Sequence, residues 1–326
     1  VLGSAGPVHR LAATFDEVAG TRSRKAKVAA LARLWQDLEP EELAFAARLV
    51  LGQPLPVGVT LGVGWALAAQ AAAGAGGLDG EALALRTREL GDLGSALAAS
   101  MPPRPPTLGL REVARTLEVV AGTTQRAEKL AGLRALLARA TPAEARYLAR
   151  GLLGELRIGV QRGVLEESLA AAFQRPLAAL RRAAALTVDV GDLARLAQAG
   201  RLEEASLRPG RPVGFMLASP VQDVRQPVEA ALTVVEDKLD GVRVQAHVVE
   251  GRPSLFARGQ GEVTGAFPEV VADLRRLSRD VVLDGELIAV DAQGRPRPFQ
   301  ALQARLGRRE ASAEGTGVAV AYVAFD

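Results

Sequence analysis

The chain divides by the rhythm of its apolar positions. From about Phe15 to Ala205, alanine and leucine recur at three- and four-residue spacing with arginines between them and few β-branched runs, so that stretch is expected to be helical. Beyond 212 the period falls to two. The stretches 232–249, 253–258, 281–290 and 318–326 alternate as strands do and are rich in β-branched residues, with a helix expected at 267–280. Two proline-bearing breaks punctuate the pattern: MPPRPPTLG at 101–109, where helix is forbidden, and SLRPGRP at 206–212, where the texture changes. The pattern predicts a multidomain α and α+β chain, with an all-helical domain over 1–207 and an antiparallel or mixed sheet over 208–326.

The helical part reads as an internal two-fold repeat. VAGTRSRKAKVAAL at 18–31 aligns with VAGTTQRAEKLAGL at 120–133, and EPEELAFAARLVLG at 39–52 with TPAEARYLARGLLG at 141–154. The copies span about 15–100 and 110–205. Each passes into a glycine-bearing loop, QPLPVGV at 53–59 or ELRIGV at 155–160, before another apolar helix. Glycine lets backbone approach a partner closely, and the helix start that follows offers free N–H groups suited to phosphate. Two such loops related by a pseudo-twofold suit the two strands of a duplex, although duplication of a plain helical scaffold accounts for the same pattern. The candidate phosphate contacts are Arg24, Lys25 and Lys27 in the first copy and Lys129, Arg157 and Arg162 in the second. Any one of them is more often just a solvated charge.

Composition narrows the function classes. The 326 residues suffice for two cores, and 48% hydrophobic content describes a globular chain and not a disordered one. The net charge is +3 with a pI near 9.6, which permits a polyanionic partner. With no cysteine there are neither disulfides nor thiolate metal sites, and the two histidines, His9 and His247, lie too far apart in sequence to suggest a metal pair. Leu49 to Leu78 carries no charge, but alanine, glycine and two prolines make it a loop and a buried helix, not a membrane span. The N-terminus lacks a secretory layout, so a cytoplasmic location without membrane association is expected.

The strongest local signal is Glu236-Asp237-Lys238-Leu239-Asp240-Gly241-Val242-Arg243. Only four residues are lysine against thirty-six arginines, so positions that need mere positive charge are mostly arginine. Lys238 then marks a place where a lysine amine has work a guanidinium cannot do: it can lose its proton and attack an electrophile. Arg243 offers a planar fork for phosphate. The plain alternative is a hairpin with Asp240-Gly241 as its turn. A second signal is Asp284-Gly285-Glu286 inside the apolar run VVLDGELIAV, where carboxylates are costly unless they meet a metal, a sugar hydroxyl or a cation. It too reads alternatively as a turn.

In order and spacing these residues resemble the covalent nucleotidyltransferases, the superfamily of ATP-dependent ligases and capping enzymes. Glu236 to Arg243 is similar to its lysine motif, Asp284 to Glu286 to its third motif, and Tyr322-Val323-Ala324-Phe325-Asp326 to the YxAFD-type strand of DNA ligases. Arg258 resembles the arginine between them. The helical repeats resemble the DNA-binding domain of archaeal and eukaryotic-type ligases. The resemblance implies an ATP-dependent DNA ligase that seals nicked double-stranded DNA with ATP and Mg²⁺, in repair, replication and recombination. In that reading Lys238 takes up AMP covalently and Glu236 lies near the adenine. Arg243 and Arg258 meet phosphate or ribose, Glu286 meets ribose or metal, and Phe325 stacks on the base. It also implies later motifs and an OB-fold domain that this sequence does not contain, so a fragment of a longer ligase with poor activity of its own is expected. The alternatives are a nick-binding module with an inactive transferase remnant and an RNA ligase or capping-type enzyme. The absence of cysteine disfavours an NAD-dependent ligase with a zinc module.

Overall fold

The structure, a computed structural model, describes residues 6–215, 220–223, 225, 236–258, 261–306 and 318–326. Its contacts separate two units, Val1–Ser206 and Leu207–Asp326.

The first unit is helical. Helices α1 (Pro7–Ala19), α2 (Arg24–Gln36), α3 (Pro40–Val50), α4 (Trp65–Gly76), α5 (Gly80–Leu90) and α6 (Leu93–Ser100) precede the proline segment. Helices α7 (Leu110–Gly122), α8 (Arg126–Arg139), α9 (Pro142–Leu152), α10 (Arg162–Ala172), α11 (Leu177–Leu186) and α12 (Val190–Ala199) follow it. Their starts are written locally. In α9, Thr141 accepts from the Glu144 amide at 3.3 Å while the Glu144 carboxylate accepts from the Thr141 amide at 2.8 Å, with Pro142 supplying a preset first turn. Asp92 and Asp189 cap α6 and α12. The uncharged stretch after Leu49 is the end of α3, a loop and α4. Among the described residues no helix is long and apolar enough to cross a membrane.

The major packing runs between the two helical halves and not within them. Helix α2 lies on α10 and α4 on α8, while α3 lies on α12 and α6 on α9. One apolar core results, with Phe15, Trp35, Leu31, Leu97, Leu110 and Leu137 fully buried. Each large side chain so buried contributes about 1.5–3 kcal/mol, and neither half retains its main helix contacts without the other. The crossing contacts are reciprocal. Arg48 on α3 reaches Asp189 at 2.8 Å, and Arg150 on α9 reaches Asp92 at 2.9 Å. Gly52 and Gly154, one just past each of those helices, approach so closely that a Cβ on Gly52 would strike the Gly154 carbonyl.

The second unit is a four-stranded antiparallel sheet in the order β2-β1-β3-β4, from β1 (Val242–Val249), β2 (Arg252–Ala257), β3 (Val281–Val290) and β4 (Ala319–Ala324). Among the described residues it is accompanied by helices α13 (Pro268–Leu274) and α14 (Gln300–Leu306). The expected helix at 267–280 is shorter than its apolar pattern, and α14 was not expected. Of the strand expected at 232–249, residues 232–235 lie outside the described ones and 236–241 are not strand. One face of the sheet carries Val244, Ala246, Val248, Leu255, Leu287 and Ala289, packed with Phe267, Val270, Val271 and Leu274. The other face of β1 carries Arg243, Gln245 and His247. Gln245 and His247 are only 2% and 0% exposed, because residues 210–215 cover them. The Gly210 amide donates to His247 Nδ1 at 3.0 Å, and the Gln245 amide group exchanges two bonds with Val213, at 2.9 and 3.1 Å.

Candidate active site

Neither aspartate–glycine pair forms a hairpin turn. The β1–β2 turn is Glu250-Gly251, whose positive φ angles of 49° and 71° suit a two-residue connection between Val249 and Arg252. Asp240-Gly241 instead leads into β1, and Asp284-Gly285-Glu286 sits mid-strand in β3. Both glycines answer to close approach: a Cβ at Gly241 would strike the Leu287 carbonyl, and one at Gly285 would come within 2.5 Å of the Val323 carbonyl and 2.7 Å of the Tyr322 ring. These glycines let the strands carry charged neighbours past one another without spreading the sheet.

Strand register then gathers the chemistry. Arg243 pairs with Glu286 across β1 and β3, and Gln245 with Asp284. Two parallel hydrogen bonds join the Arg243 guanidinium to Asp284, Nε–Oδ1 at 3.0 Å and Nη2–Oδ2 at 2.8 Å, which raises the arginine's pKa. The guanidinium also lies over the rings of Phe215 and Phe325, at 5.2 and 5.4 Å from their centroids. Past β4 the chain stays on the ladder: the Phe325 amide donates to the Asp284 carbonyl at 2.9 Å and the Asp284 amide to the Asp326 carbonyl at 2.7 Å. Burial pushes the Glu286 carboxyl upward, opposed by the charges of Lys238 and Arg243 and by the Gly241 amide. Lys238 is exposed, in the approach to β1.

The structure therefore brings Lys238, Arg243, Glu286 and Phe325 together. Arg258 is exposed at the open end of β2, one residue past the Val244–Ala257 pair, and Glu236 is exposed ahead of Lys238. Two participants were missed in the sequence: Asp284 as the anchor of Arg243, and Phe215 as its second aromatic contact. The alternation Arg243, Gln245, His247 on one face of a strand whose other face is core was a signal that something covers that row.

In the helical unit most of the expected phosphate contacts have internal partners. Arg24 makes a two-pronged pair with Glu167, both bonds at 2.9 Å, while Arg157 donates to the Gly91 carbonyl and to Glu155. Arg162 binds Glu166 and caps the end of α11 through the Ala184 and Thr187 carbonyls. Lys27 donates to the Ile158 and Gly159 carbonyls, and Lys129 to those of Leu61 and Gly62. Lys25 is exposed, with no partner among the described residues. An open groove of about 660 Å³ between α7 and α8, lined by Arg111, Arg115, Val119 and Thr123, includes none of these residues.

The chain thus joins a helical unit to a sheet on which an aromatic-flanked arginine is paired across strands with a carboxylate that feels the charge of a nearby lysine, the two-part layout of a helical module followed by a mixed α+β domain. The family profile described as DNA ligase N terminus matches residues 7–170, and that described as ATP dependent DNA ligase domain matches residues 215–326. The chain belongs to the ATP-dependent DNA ligase family. It is 35% identical over 323 residues to a probable DNA ligase of Koribacter versatilis, covering 97% of this chain and 56% of that protein. It is 39% identical over 302 residues to a probable DNA ligase of Pseudarthrobacter chlorophenolicus, covering 91% and 54%. The DNA ligase of Methanothrix thermoacetophila is 32% identical over 315 residues, covering 92% and 57%. The chain thus spans about half the length of the curated relatives it matches. The solved structure titled Pmar-Lig_Pre shares the fold, with a TM-score of 0.52 at 14% identity over 97% of this chain and 56% of that one.

Proposed function

We propose that this chain is the DNA-gripping and nucleotide-transferring part of a cytoplasmic enzyme that seals nicks in duplex DNA through a lysine–AMP intermediate. The observation that carries this reading is Lys238 at the mouth of β1, its charge felt by Glu286 on β3, in a chain of the ligase family. The deprotonated Lys238 amine attacks the α-phosphorus of ATP. A nitrogen–phosphorus bond forms, the bond to the pyrophosphate oxygen breaks, and pyrophosphate leaves with the electron pair. AMP then passes to the 5′-phosphate at the nick, and the 3′-hydroxyl displaces it.

Around Lys238, Glu236 lies near the adenine and Phe325 offers the base its exposed ring, 45% accessible, while its contact with Arg243 fixes the ring's position. Arg243, held by Asp284, and Arg258 meet ribose or phosphate, and Glu286 meets ribose. Magnesium fits only as an ion carried largely by the nucleotide. Among the described residues no three acidic or imidazole side chains converge, and Asp284 is engaged by Arg243, so Glu286 is the carboxylate that would help hold it. When bound, the ion offsets charge on the phosphate oxygens.

We further infer that the reciprocal contacts of the helical unit reflect an internal duplication with a pseudo-twofold between Gly52 and Gly154. Its two glycine loops and Lys25 meet the sugar-phosphate backbone of the duplex, so binding is salt-sensitive and largely blind to sequence.

The test is incubation with α-labelled ATP and Mg²⁺, of this chain alone and within the longest reading frame that contains it, beside Lys238→Ala and Lys238→Arg. Covalent label that disappears in both variants supports the reading. Nick binding without label in any version supports a DNA-binding module whose transferase is inactive.

A further inference from the structure

We propose that Lys27 and Lys129 are positioning residues that hold the glycine loops at 158–160 and 61–63, each in the opposite half of the helical unit, in the form that meets DNA. Neither is itself a phosphate ligand. The proposal rests on the reading of this unit as a DNA-binding module.

The two lysines occupy matching positions in the aligned segments 18–31 and 120–133. Lys27 Nζ lies 2.6 Å from the Ile158 carbonyl and 3.2 Å from that of Gly159, and Lys129 Nζ lies 3.1 Å from the Leu61 carbonyl and 3.5 Å from that of Gly62. Each cation thus sits behind a loop contributed by the other half. Both loop glycines are left-handed, at φ 62° and 63°, and a Cβ on either would come within 2.8 Å or 2.7 Å of the lysine nitrogen. Glycine is required there twice over, for the backbone angle and for the cation beneath it.

The orientation of the peptide planes gives the arrangement its use. A trans peptide points its N–H opposite to its carbonyl. With the Ile158 and Gly159 carbonyls turned toward Lys27, the Gly159 and Val160 amides face away from it. Lys129 does the same for the Gly62 and Val63 amides. Among the described residues these four amides have no hydrogen-bond partner. Consecutive amides in such a turn form an anion-binding concavity, here with a positive charge behind it. The geometry also explains the residue type. A compact ammonium sits as a point charge beneath two successive carbonyls, where a larger planar fork would have to displace the loop, and an otherwise arginine-rich chain keeps lysine at both places.

The experiment measures affinity of the chain for a labelled nicked duplex across a salt series, with ¹⁵N relaxation order parameters of the loop amides in the DNA-free protein, for the wild type and Lys27→Met, Lys27→Arg, Lys129→Met and Lys129→Arg. Each Met variant should weaken binding about tenfold, the size of one charge-assisted hydrogen bond lost, while the slope of log affinity on log salt stays unchanged. Amide order parameters should fall at 158–160 for the Lys27 variants and at 61–63 for the Lys129 variants. The Arg variants should fail to rescue despite keeping the charge, and they remain readable if a Met variant loses its cooperative melt. A slope reduced by about one unit, with loop order parameters unchanged and binding restored by arginine, would make these lysines phosphate ligands and overturn the proposal. A wild type that binds no duplex at any salt overturns the DNA reading itself, and with it the role given to the loops, whatever the order parameters show.

Discussion

Arg243 and Asp284, forty-one positions apart, are locked by two parallel hydrogen bonds across neighbouring strands, with a phenyl ring against the guanidinium from each of two further segments. The arrangement leaves the fork little freedom before any nucleotide arrives, and such preorganisation is what a site for phosphoryl transfer needs. Asp284→Asn keeps the shape and removes the charge. It should destabilise the chain by only about 1–2 kcal/mol, since the pair is partly solvated. The larger effect falls on function: labelling of Lys238 should require roughly tenfold more ATP for half-saturation, with a smaller loss in the maximal rate. Unchanged labelling kinetics would show that Arg243 holds its place without the aspartate.

The glycines beside the acidic residues should be intolerant for steric reasons. Gly285→Ala places a methyl 2.5 Å from the Val323 carbonyl and against the Tyr322 ring, whose hydroxyl reaches the Val244 and Leu283 carbonyls at 3.0 and 3.1 Å. Relieving that contact means parting β3 from β4, whose continuation carries Phe325. The expected cost is about 1–3 kcal/mol in stability, with a parallel loss of lysine labelling. Thermal melts and labelling that match the wild type would contradict the close packing seen between these strands.

Much of this was legible in the sequence, and the limits have physical causes. The change from a three-to-four-residue period to a two-residue period places the boundary near 206–212 because helix and strand bury their faces at different spacings. Strand extents were overestimated at 236–241, since alternation of residue types says nothing about where ladder pairing begins. Lys238 stood out through the scarcity of lysine. Asp284 did not stand out as the partner of Arg243, because an ion pair between strands depends on register, which only the folded sheet fixes. Phe215 lay outside every motif for the same reason. Lys27 and Arg24 were read as surface cations although they bind groups more than a hundred residues away; charge is visible in a sequence, and its tertiary partner is not.

The buried pairs Arg48–Asp189 and Arg150–Asp92, which cross between the helical halves, should behave unlike the exposed pairs. In Arg150–Asp92 and Arg48–Asp189 all four side chains are between 10% and 14% exposed. Burial by itself raises both carboxyls. Hydrogen bonds from the arginines, from the Ser95 side chain and amide to Asp92, and from the Val57 and Asp192 amides to Asp189 outweigh it and leave both below their ordinary value. Removing one partner strands a buried charge. Asp92→Ala and Asp189→Ala should each cost about 3–5 kcal/mol, against less than about 1 kcal/mol for Asp37→Ala, whose pair with Arg10 is exposed. Denaturant melts followed in the helical unit decide it, and equal small effects at all three positions would remove the case for these pairs as fasteners between the halves.

The two units should also part company on acidification. Burial lowers the His247 pKa to about 4, from 6.5. Its Nδ1 accepts the Gly210 amide, its Nε2 lies 3.5 Å from Gln245 Oε1, and the Phe256 ring stands edge-on at 5.1 Å; none of these described neighbours carries a negative charge to welcome a second proton. The folded value lies below the unfolded one, so between these limits the unfolded chain binds more protons and stability falls as pH falls. The contribution is fully present above about pH 6.5 and fades toward pH 4, on the order of 3 kcal/mol in all. In the helical unit, Asp92 and Asp189 are depressed below an ordinary value of 3.8, so their contribution is present above that pH and is lost only below it. Acidification from neutrality to about pH 4.5 should therefore loosen the sheet while the helices stay protected. Hydrogen exchange with mass spectrometry, corrected for the intrinsic pH dependence of exchange, resolves the two. In His247→Asn, whose side-chain oxygen can still accept the Gly210 amide, β1 and β2 should lose this sensitivity. Equal loss of protection in both units, or no change on substitution, would show that some group other than His247 sets the acid limit of the sheet.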